Sequence, residues 1–319
     1  MNARSAAQSA FVGLLPEGAT IASESLRVPQ RIHALAIVVF PTLGFVAALA
    51  LALRYGMTRV DLALFAGLSA LTMCGISVGY HRLFSHRSFR ANTPVRVLLA
   101  VSGSMSAQGS LFYWVANHRR HHQFTDRPGD LHSPYYEGER PLGRLTGLWH
   151  SHMGWTFDHE ITSTIHFAKD LFRDPAIARV NQLYPLWVLL GIVVPALAGG
   201  AASGTALGAL TGFLWGGLAR IFVIYHVTNS IDSITHVFGS RPFDTGDHST
   251  NNPWLVLPTL GEAWHNNHHA FPASAIFGLR WWQVDPGGTL IRGLQRLGWA
   301  WEVREPTPEL VAARARGKR

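Results

Sequence analysis

Four stretches of this chain carry almost no charge over lengths that can cross a lipid bilayer. Residues 33–53, 62–80 and 183–202 contain no Asp, Glu, Lys or Arg, and residues 205–225 contain only Arg220. A helix of about 20 residues is about 30 Å long, which matches the hydrocarbon core of a bilayer. The pattern predicts an all-α integral membrane protein in which four transmembrane helices form two hairpins.

A fifth uncharged stretch, residues 97–115, is more polar than the other four. Its small and polar residues are Ser102, Gly103, Ser104, Ser106, Gln108, Gly109 and Ser110. Such a segment is a poor lipid-facing helix, and we interpret it as a buried or interfacial helix that does not cross. With four crossings, both termini and the long connection 81–182 lie on one side.

The basic residues are distributed unevenly among the connections. Residues 54–59 contain two Arg and residues 203–204 none, whereas residues 81–182 contain 12 Lys and Arg and residues 226–319 contain nine. By the positive-inside rule the long connection and the tail are cytoplasmic, and we expect them to form a helical cytosolic domain. The formal net charge is +8, but no aromatic-interleaved basic module is present, so a nucleic-acid partner is not expected.

The organisation predicted from these patterns has three parts. Residues 1–30 form a flexible cytosolic leader, residues 31–285 the main domain and residues 286–319 a basic cytosolic tail. Neither end is long enough for a fused electron-transfer domain. The chain has one cysteine, Cys74, which excludes an internal disulfide and a metal site built from cysteine.

Three short clusters contain eight of the 17 histidines within 16 residues. They are His81 and His86, then His118, His121 and His122, then His265, His268 and His269. On a helix, the HxxHH spacing places three rings within an arc of about 100°. The HxxxxH spacing corresponds to about 140°, so we expect the first pair where a helix ends and the chain bends.

Eight imidazoles exceed the ligands that one metal ion accepts, which implies two ions. Imidazole suits zinc, copper, iron and nickel, and zinc supplies no redox chemistry. The pattern therefore favours two iron ions per chain that activate oxygen.

The clusters and their surroundings resemble the membrane fatty-acid desaturase superfamily, and within it the bacterial acyl-CoA desaturases of the stearoyl-CoA delta-9 type. The supporting stretches are Gly79–Arg82, WVANHRRHHQFTDRPGD from Trp114 to Asp130, His152–Trp155, Gly261–Trp264 and Phe271–Pro272. The resemblance covers about residues 30–285. It implies a di-iron centre that introduces a cis double bond into a fatty-acyl chain while O₂ is reduced to water.

The resemblance also implies a ninth histidine ligand in an N-S-x-x-H element. The matching residues here run from Asp232 to His236, so His236 is the expected ligand and Asp replaces the family's Asn, which holds a metal-bound water. Asp232 is then either a direct carboxylate ligand or a residue that holds the water.

Further side chains are candidates for supporting roles. Ligating imidazoles usually donate their second N–H to a carboxylate or carbonyl, and Asp126, Asp130, Asp158, Glu160 and Glu262 are available. Of these we favour Glu262, three residues before His265. Trp114 is a candidate wall of the acyl tunnel, or else ordinary core, and Arg119 is a candidate contact for the substrate head group.

The resemblance implies an acyl-CoA substrate and a separate electron donor, such as ferredoxin with its reductase. The positions that would carry the basic CoA contacts are 116–117 and 158–160, and they lack that charge. Acyl-carrier protein and phospholipid acyl chains therefore stay as alternatives. A di-iron hydroxylase of the same superfamily is the closest alternative enzyme, and a non-catalytic membrane metal-binding protein is the alternative of another class.

Overall fold

The structure, a computed structural model, describes residues 15–21, 23–158 and 161–315, except for the side chains of Glu24 and Asp158. Glu160, most of the predicted leader and the last four residues of the predicted tail lie outside the described residues, as does the side chain of Asp158. Within the described part, nearly all regular structure is helical, and the strands form three antiparallel pairs of two residues each.

Among the described residues, four helices are long and apolar enough to cross a membrane, in agreement with the number predicted. We call them span 1 (Ser25–Tyr55), span 2 (Arg59–Ser85), span 3 (Tyr184–Ser203) and span 4 (Ala206–His236). Spans 2 and 4 extend beyond the uncharged stretches that predicted them. These extensions carry candidate metal ligands, so the apolar helices lead directly into the site.

The remaining elements surround the ends of the spans. The shorter α-helices are Thr93–Ser104, Leu111–Phe124, Arg144–Trp149, Trp155–Asp158, Thr164–Phe167, Pro175–Gln182, His265–Ala270, Pro286–Arg296 and Pro308–Arg314. The 3₁₀ turns are Leu171–Arg173, Ile234–His236 and Pro253–Leu255, and π-helical turns cover Gly75–Ser85, His150–Gly154 and Phe213–Ala219. The strand pairs are Thr20–Ile21 with Ile161–Thr162, Arg90–Ala91 with Ala300–Trp301, and Tyr136–Glu137 with Arg140–Pro141.

The stretch 97–115 is not one helix, which corrects the prediction of a single buried helix. One helix ends at Ser104 and the next begins at Leu111. Between them Ala107 and Gly109 have φ values of 62° and 100°, which a right-handed helix does not contain. The Gly109 N–H donates to the Tyr184 hydroxyl at 3.0 Å. The break leaves neither helix long enough to span a bilayer.

Small residues allow the helices to approach closely. A methyl group on Gly75 would lie 2.1 Å from the backbone nitrogen of Gly103, and one on Gly199 would lie 2.3 Å from the Gly208 carbonyl oxygen. Close backbone contact of this kind is typical of helices packed in membranes. Arg220 is fully buried and donates to the carbonyls of Gly216, Met105 and Gly191, so its role is to join helices.

The chain is folded on both sides of the predicted domain limits. Within the predicted leader, the first long helix begins at Glu24, and Ala19 is fully buried. In the tail, the amphipathic helix Pro286–Arg296 buries Ile291, and Arg314 donates to the Ala270 carbonyl. Composition alone did not show these contacts, and the division of the chain at residues 30 and 285 stays a prediction.

Cysteine labelling tests the predicted topology. In a Cys74→Ser background, Arg90→Cys and Glu139→Cys, both at exposed positions, are expected to react with an impermeant reagent from the cytosolic side only. Met57→Cys and Ala202→Cys, in or near the short connections, are expected to react from the opposite side. Reaction of Arg90→Cys and Glu139→Cys from opposite sides would contradict four crossings.

Candidate metal centre

The candidate histidines reach one region from four elements. His81 lies in the last turns of span 2 and His86 directly follows it, while His236 ends span 4. We call Leu111–Phe124 the box-two helix, which carries His118, His121 and His122. His265–Ala270 is the box-three helix, with His265, His268 and His269.

A π-helical turn explains the spacing of the first pair. The pair lies where the helix ends, as predicted: Gly75–Ser85 is π-helical, His86 is its C-cap, and the His86 N–H donates to the His81 carbonyl at 3.1 Å. In a π-helix, residues five apart are bonded to each other and lie on one side. Their Nε2 atoms are therefore only 3.1 Å apart.

The nine histidines form two groups, each with ligand atoms within 4.8 Å of one another. The five-histidine group contains His81, His86, His118, His122 and His268. The four-histidine group contains His121, His236, His265 and His269. The box-two and box-three helices each contribute histidines to both groups. The sequence predicted that the three rings of each cluster face one way, but they point to two neighbouring groups.

The nitrogen spacing fits metal coordination. In the five-histidine group, neighbouring Nε2 atoms are 2.8 Å apart for His86 and His118, and 3.0 Å apart for His268 and His122. A metal–nitrogen bond of about 2.1 Å gives adjacent ligand nitrogens about 3 Å apart at right angles. The Nε2 atoms of His121 and His269 are buried without a hydrogen-bond partner. A bound cation would satisfy these atoms, so the residues fit two metal ions.

Four carboxylates hold the other nitrogen of four of these rings. His121 Nδ1 lies 3.0 Å from Asp130. His236 Nδ1 lies 2.9 Å from Asp126, and His269 Nδ1 lies 2.9 Å from Asp247. Glu262 contacts His81 Nδ1. Such contacts fix the tautomer and turn Nε2 toward the metal.

The sequence named three of these four acids as candidates and singled out Glu262. Asp247 was missed, because it lies in an irregular segment 22 residues before its partner and no spacing pattern connects the two.

Glu262 also belongs to a buried ion-pair network. It accepts hydrogen bonds from Ser77 Oγ and from Arg82 Nε, the latter at 3.0 Å. Arg82 is fully buried and donates to Asp285 at 3.0 Å and to the Ala275 carbonyl. The network connects the end of span 2 to the segments on both sides of the box-three helix.

Burial keeps most of these imidazoles neutral. It lowers the pKa of His86, His118, His122, His265 and His268 well below 6.5, with neighbouring histidines acting in the same direction. Burial also acts on His121, but the nearby Asp130 outweighs it and raises the pKa to about 9. The neutral ring is the form that binds metal.

A cavity of about 300 Å³ adjoins the histidines. Its lining includes His81, His118 and His265, the apolar side chains of Trp114 and Ile76, and Ala34 of span 1. The Trp114 ring stacks on His118 with centroids 5.1 Å apart. Trp114 therefore lines the cavity as predicted for a tunnel wall, although its contact with substrate stays a prediction.

Two other predicted side chains behave differently. Asp232 lines the cavity and belongs to neither histidine group, and its carboxylate lies 4.0 Å from His132 Nδ1. Arg119 does not line the cavity. Its guanidinium donates to Asp170 at 2.6 Å and to the carbonyls of Ser85 and Phe84, which makes it a structural link, in contrast to the predicted substrate contact.

His132 is a further histidine near the centre that was not predicted as a ligand. Its ring lies 4.5 Å from that of His121, centroid to centroid, and the two share Asp130 as a neighbour. Burial lowers the pKa of His132 to about 4. It lines the cavity between Asp130 and Asp232.

Known proteins are similar to this chain in sequence. A family model described as fatty acid desaturase matches residues 60–298. The chain is 45% identical over 297 residues to a hex-5-enoyl-[acyl-carrier protein] acetylenase of Moorena producens (strain JHB), covering 92% of both proteins. It is 36% identical to an sn-1 stearoyl-lipid 9-desaturase of Anabaena variabilis, covering 72% of this chain and 78% of the relative.

A third relative extends well beyond the match. It is a chloroplastic palmitoyl-monogalactosyldiacylglycerol delta-7 desaturase of Arabidopsis thaliana, 37% identical over 74% of this chain and 59% of the relative. The extent of the family match and the identities agree with the histidine geometry. The chain belongs to the fatty acid desaturase family.

Proposed function

We propose that this protein desaturates a fatty-acyl chain with O₂ at a centre of two iron ions held by nine histidines. The observation that carries the proposal is the pair of largely buried histidine groups, both of which contribute to the lining of a largely apolar cavity. A methylene C–H is not acidic, so general-base chemistry does not open it. Two bound iron ions would activate O₂, which is the oxidant needed to remove one hydrogen from each of two adjacent carbons.

The chain's own residues hold and orient the reacting parts. The five-histidine and four-histidine groups bind the ions, and Asp126, Asp130, Asp247 and Glu262 fix the tautomers of their rings. The cavity aligns an acyl chain past Trp114 and keeps bulk water away from the site. Asp232 and His132, on the cavity surface, are positioned to hold water beside the four-histidine group.

The membrane arrangement belongs to the same proposal. The four spans form two hairpins, and the histidine groups lie on the cytoplasmic face of a bacterial inner membrane. The distribution of basic residues supports this orientation. The arrangement brings lipid-derived substrate and soluble electron donor to one site, with ferredoxin and its reductase as the proposed source of electrons.

The named relatives favour an acyl carrier other than CoA. Their names include an acyl-carrier-protein substrate and lipid-linked acyl chains. Ala116 and Asn117 are buried and uncharged, so this part of the site offers no charge for the phosphates of CoA. We therefore propose an acyl-carrier-protein thioester as the first substrate to test, followed by acyl-CoA and by glycerolipid acyl groups.

A product assay tests the proposal. Purified protein with iron, O₂ and reduced ferredoxin is offered acyl chains of several lengths on carrier protein, CoA and glycerolipid, followed by gas chromatography–mass spectrometry. The expected product has lost two hydrogens and gained a cis double bond. A hydroxylated product would support the alternative enzyme, and firmly bound metal without any turnover would support a non-catalytic role.

Two variants of Asp232 separate its two candidate roles. Because Asp232 lies outside both histidine groups, we expect Asp232→Asn to keep both metal ions and most activity. Asp232→Ala is expected to lower turnover by about 10–100-fold, the usual effect of changes around ligands, without metal loss. Loss of one metal ion per chain in Asp232→Ala, measured by elemental analysis, would instead identify a direct ligand.

A further inference from the structure

The carboxylates of the site are shared unequally between the two histidine groups. In the four-histidine group, three of the four rings contact a carboxylate through Nδ1: His121, His236 and His269. In the five-histidine group one ring, His81, contacts a carboxylate, that of Glu262. One Nδ1 in each group, that of His268 and that of His265, is buried without a hydrogen-bond partner. The two groups therefore differ in the negative charge that surrounds them.

A buried cation increases this difference. Glu262 shares the buried Arg82 with Asp285, so part of its charge is offset. Asp130 and Asp126 lie 3.0 and 2.9 Å from Nδ1 of His121 and His236. Asp247 is held by the hydroxyls of Thr245 and Ser249, which carry no charge.

Negative charge around neutral ligands favours a divalent cation, and a carboxylate at Nδ1 makes Nε2 a stronger donor. The fifth imidazole of the five-histidine group adds one metal–nitrogen bond there but no negative charge. Each carboxylate partner changes metal affinity by about 10–100-fold, so two additional partners favour the four-histidine group by about 100–10,000-fold, and the fifth imidazole of the other group acts against this.

We propose that the two metal sites fill in order, with the four-histidine site binding the first divalent ion and releasing it last. Asp247 is then a positioning residue of that site, acting through His269. This inference rests on the proposed two-metal function. It assigns different affinities to two sites that sequence alone makes equivalent.

Cobalt(II) provides a test that needs no turnover. The full chain in detergent is stripped of metal by a chelator under anaerobic conditions and titrated with Co²⁺, following the visible absorption of the bound ion. We expect two binding steps with dissociation constants at least about 10-fold apart. His269→Ala is expected to remove the tighter step, and His86→Ala the weaker one.

Asp247→Asn tests the carboxylate itself. It is expected to weaken the tighter step by about 10–100-fold and to leave the weaker step unchanged. Asp244→Asn, an exposed acid in the same segment, is the matched control and is expected to change neither step. Asp247→Glu is expected to restore part of the lost affinity.

The outcomes separate the inference from the function beneath it. Two ions bound with equal affinity, or a tighter step removed by His86→Ala, would overturn the filling order while leaving the two-metal centre intact. Binding of fewer than two ions by the wild-type chain would contradict the proposed centre itself. An unchanged titration in Asp247→Asn would remove its positioning role.

Discussion

Replacing His268 with alanine is expected to abolish desaturation and to lower the metal content from two ions per chain to one. His268 is fully buried, and its Nε2 lies 3.1 Å from that of His81 and 3.0 Å from that of His122. Removing this ring leaves a gap in the five-histidine group, because its Nε2 lies between those of His81 and His122. The effect should exceed the about 10–100-fold loss typical of residues that only support a ligand.

A surface histidine provides the control. His166 is exposed and belongs to neither group, so His166→Ala is expected to keep both ions and full activity. Thermal unfolding of both variants shows whether the His268→Ala chain is folded. A folded His268→Ala chain that retains two ions and normal turnover would contradict the assignment of the ligands.

The second large effect is expected at Glu262. Glu262→Ala removes one of two carboxylates from the buried Arg82 and leaves His81 Nδ1 without its acceptor. Breaking a buried ion pair by removing one partner costs up to about 3–5 kcal/mol, because the remaining charge stays buried. We expect a marked fall in unfolding temperature and in the yield of folded protein.

Two further variants divide this effect into charge and shape. Glu262→Gln retains a polar group beside Ser77 and Arg82, so it is expected to fold better than Glu262→Ala while binding metal more weakly. Glu305→Gln, at an exposed pair with Arg292, is expected to change the free energy of unfolding by no more than about 1 kcal/mol. Equal stability of Glu262→Ala and Glu305→Gln would show that the buried network is not required for folding.

The spans and the histidine clusters could be predicted because their signals are local. An uncharged length sets the spans, and helical spacing groups His118 with His121 and His122. The assignment of these rings to two different centres could not be predicted, because it depends on how the box-two and box-three helices cross. The π-helical turn before His86 was also missed, since no residue in Gly75–Ser85 identifies it in isolation.

The contacts that tune the site are the least local. Asp247 contacts His269 from 22 residues earlier in the chain, and Arg82 joins Glu262 to Asp285 from 180 and 203 residues away. Arg119 was predicted as a substrate contact from its position beside a ligand, yet its side chain points to Asp170. On a helix that is buried on several sides, a side chain next to a ligand in sequence can point away from the metal site.

We propose that this chain uses two iron ions and O₂ to remove two hydrogens from an acyl chain. A single turnover tests this, with anaerobically purified protein of known iron content, reduced ferredoxin, a deuterium-labelled acyl-carrier-protein substrate and a pulse of O₂. We expect about two iron ions per chain and an alkene product that has lost deuterium from adjacent carbons. An active enzyme with one ion per chain, or one that retains activity with zinc in place of iron, would contradict it.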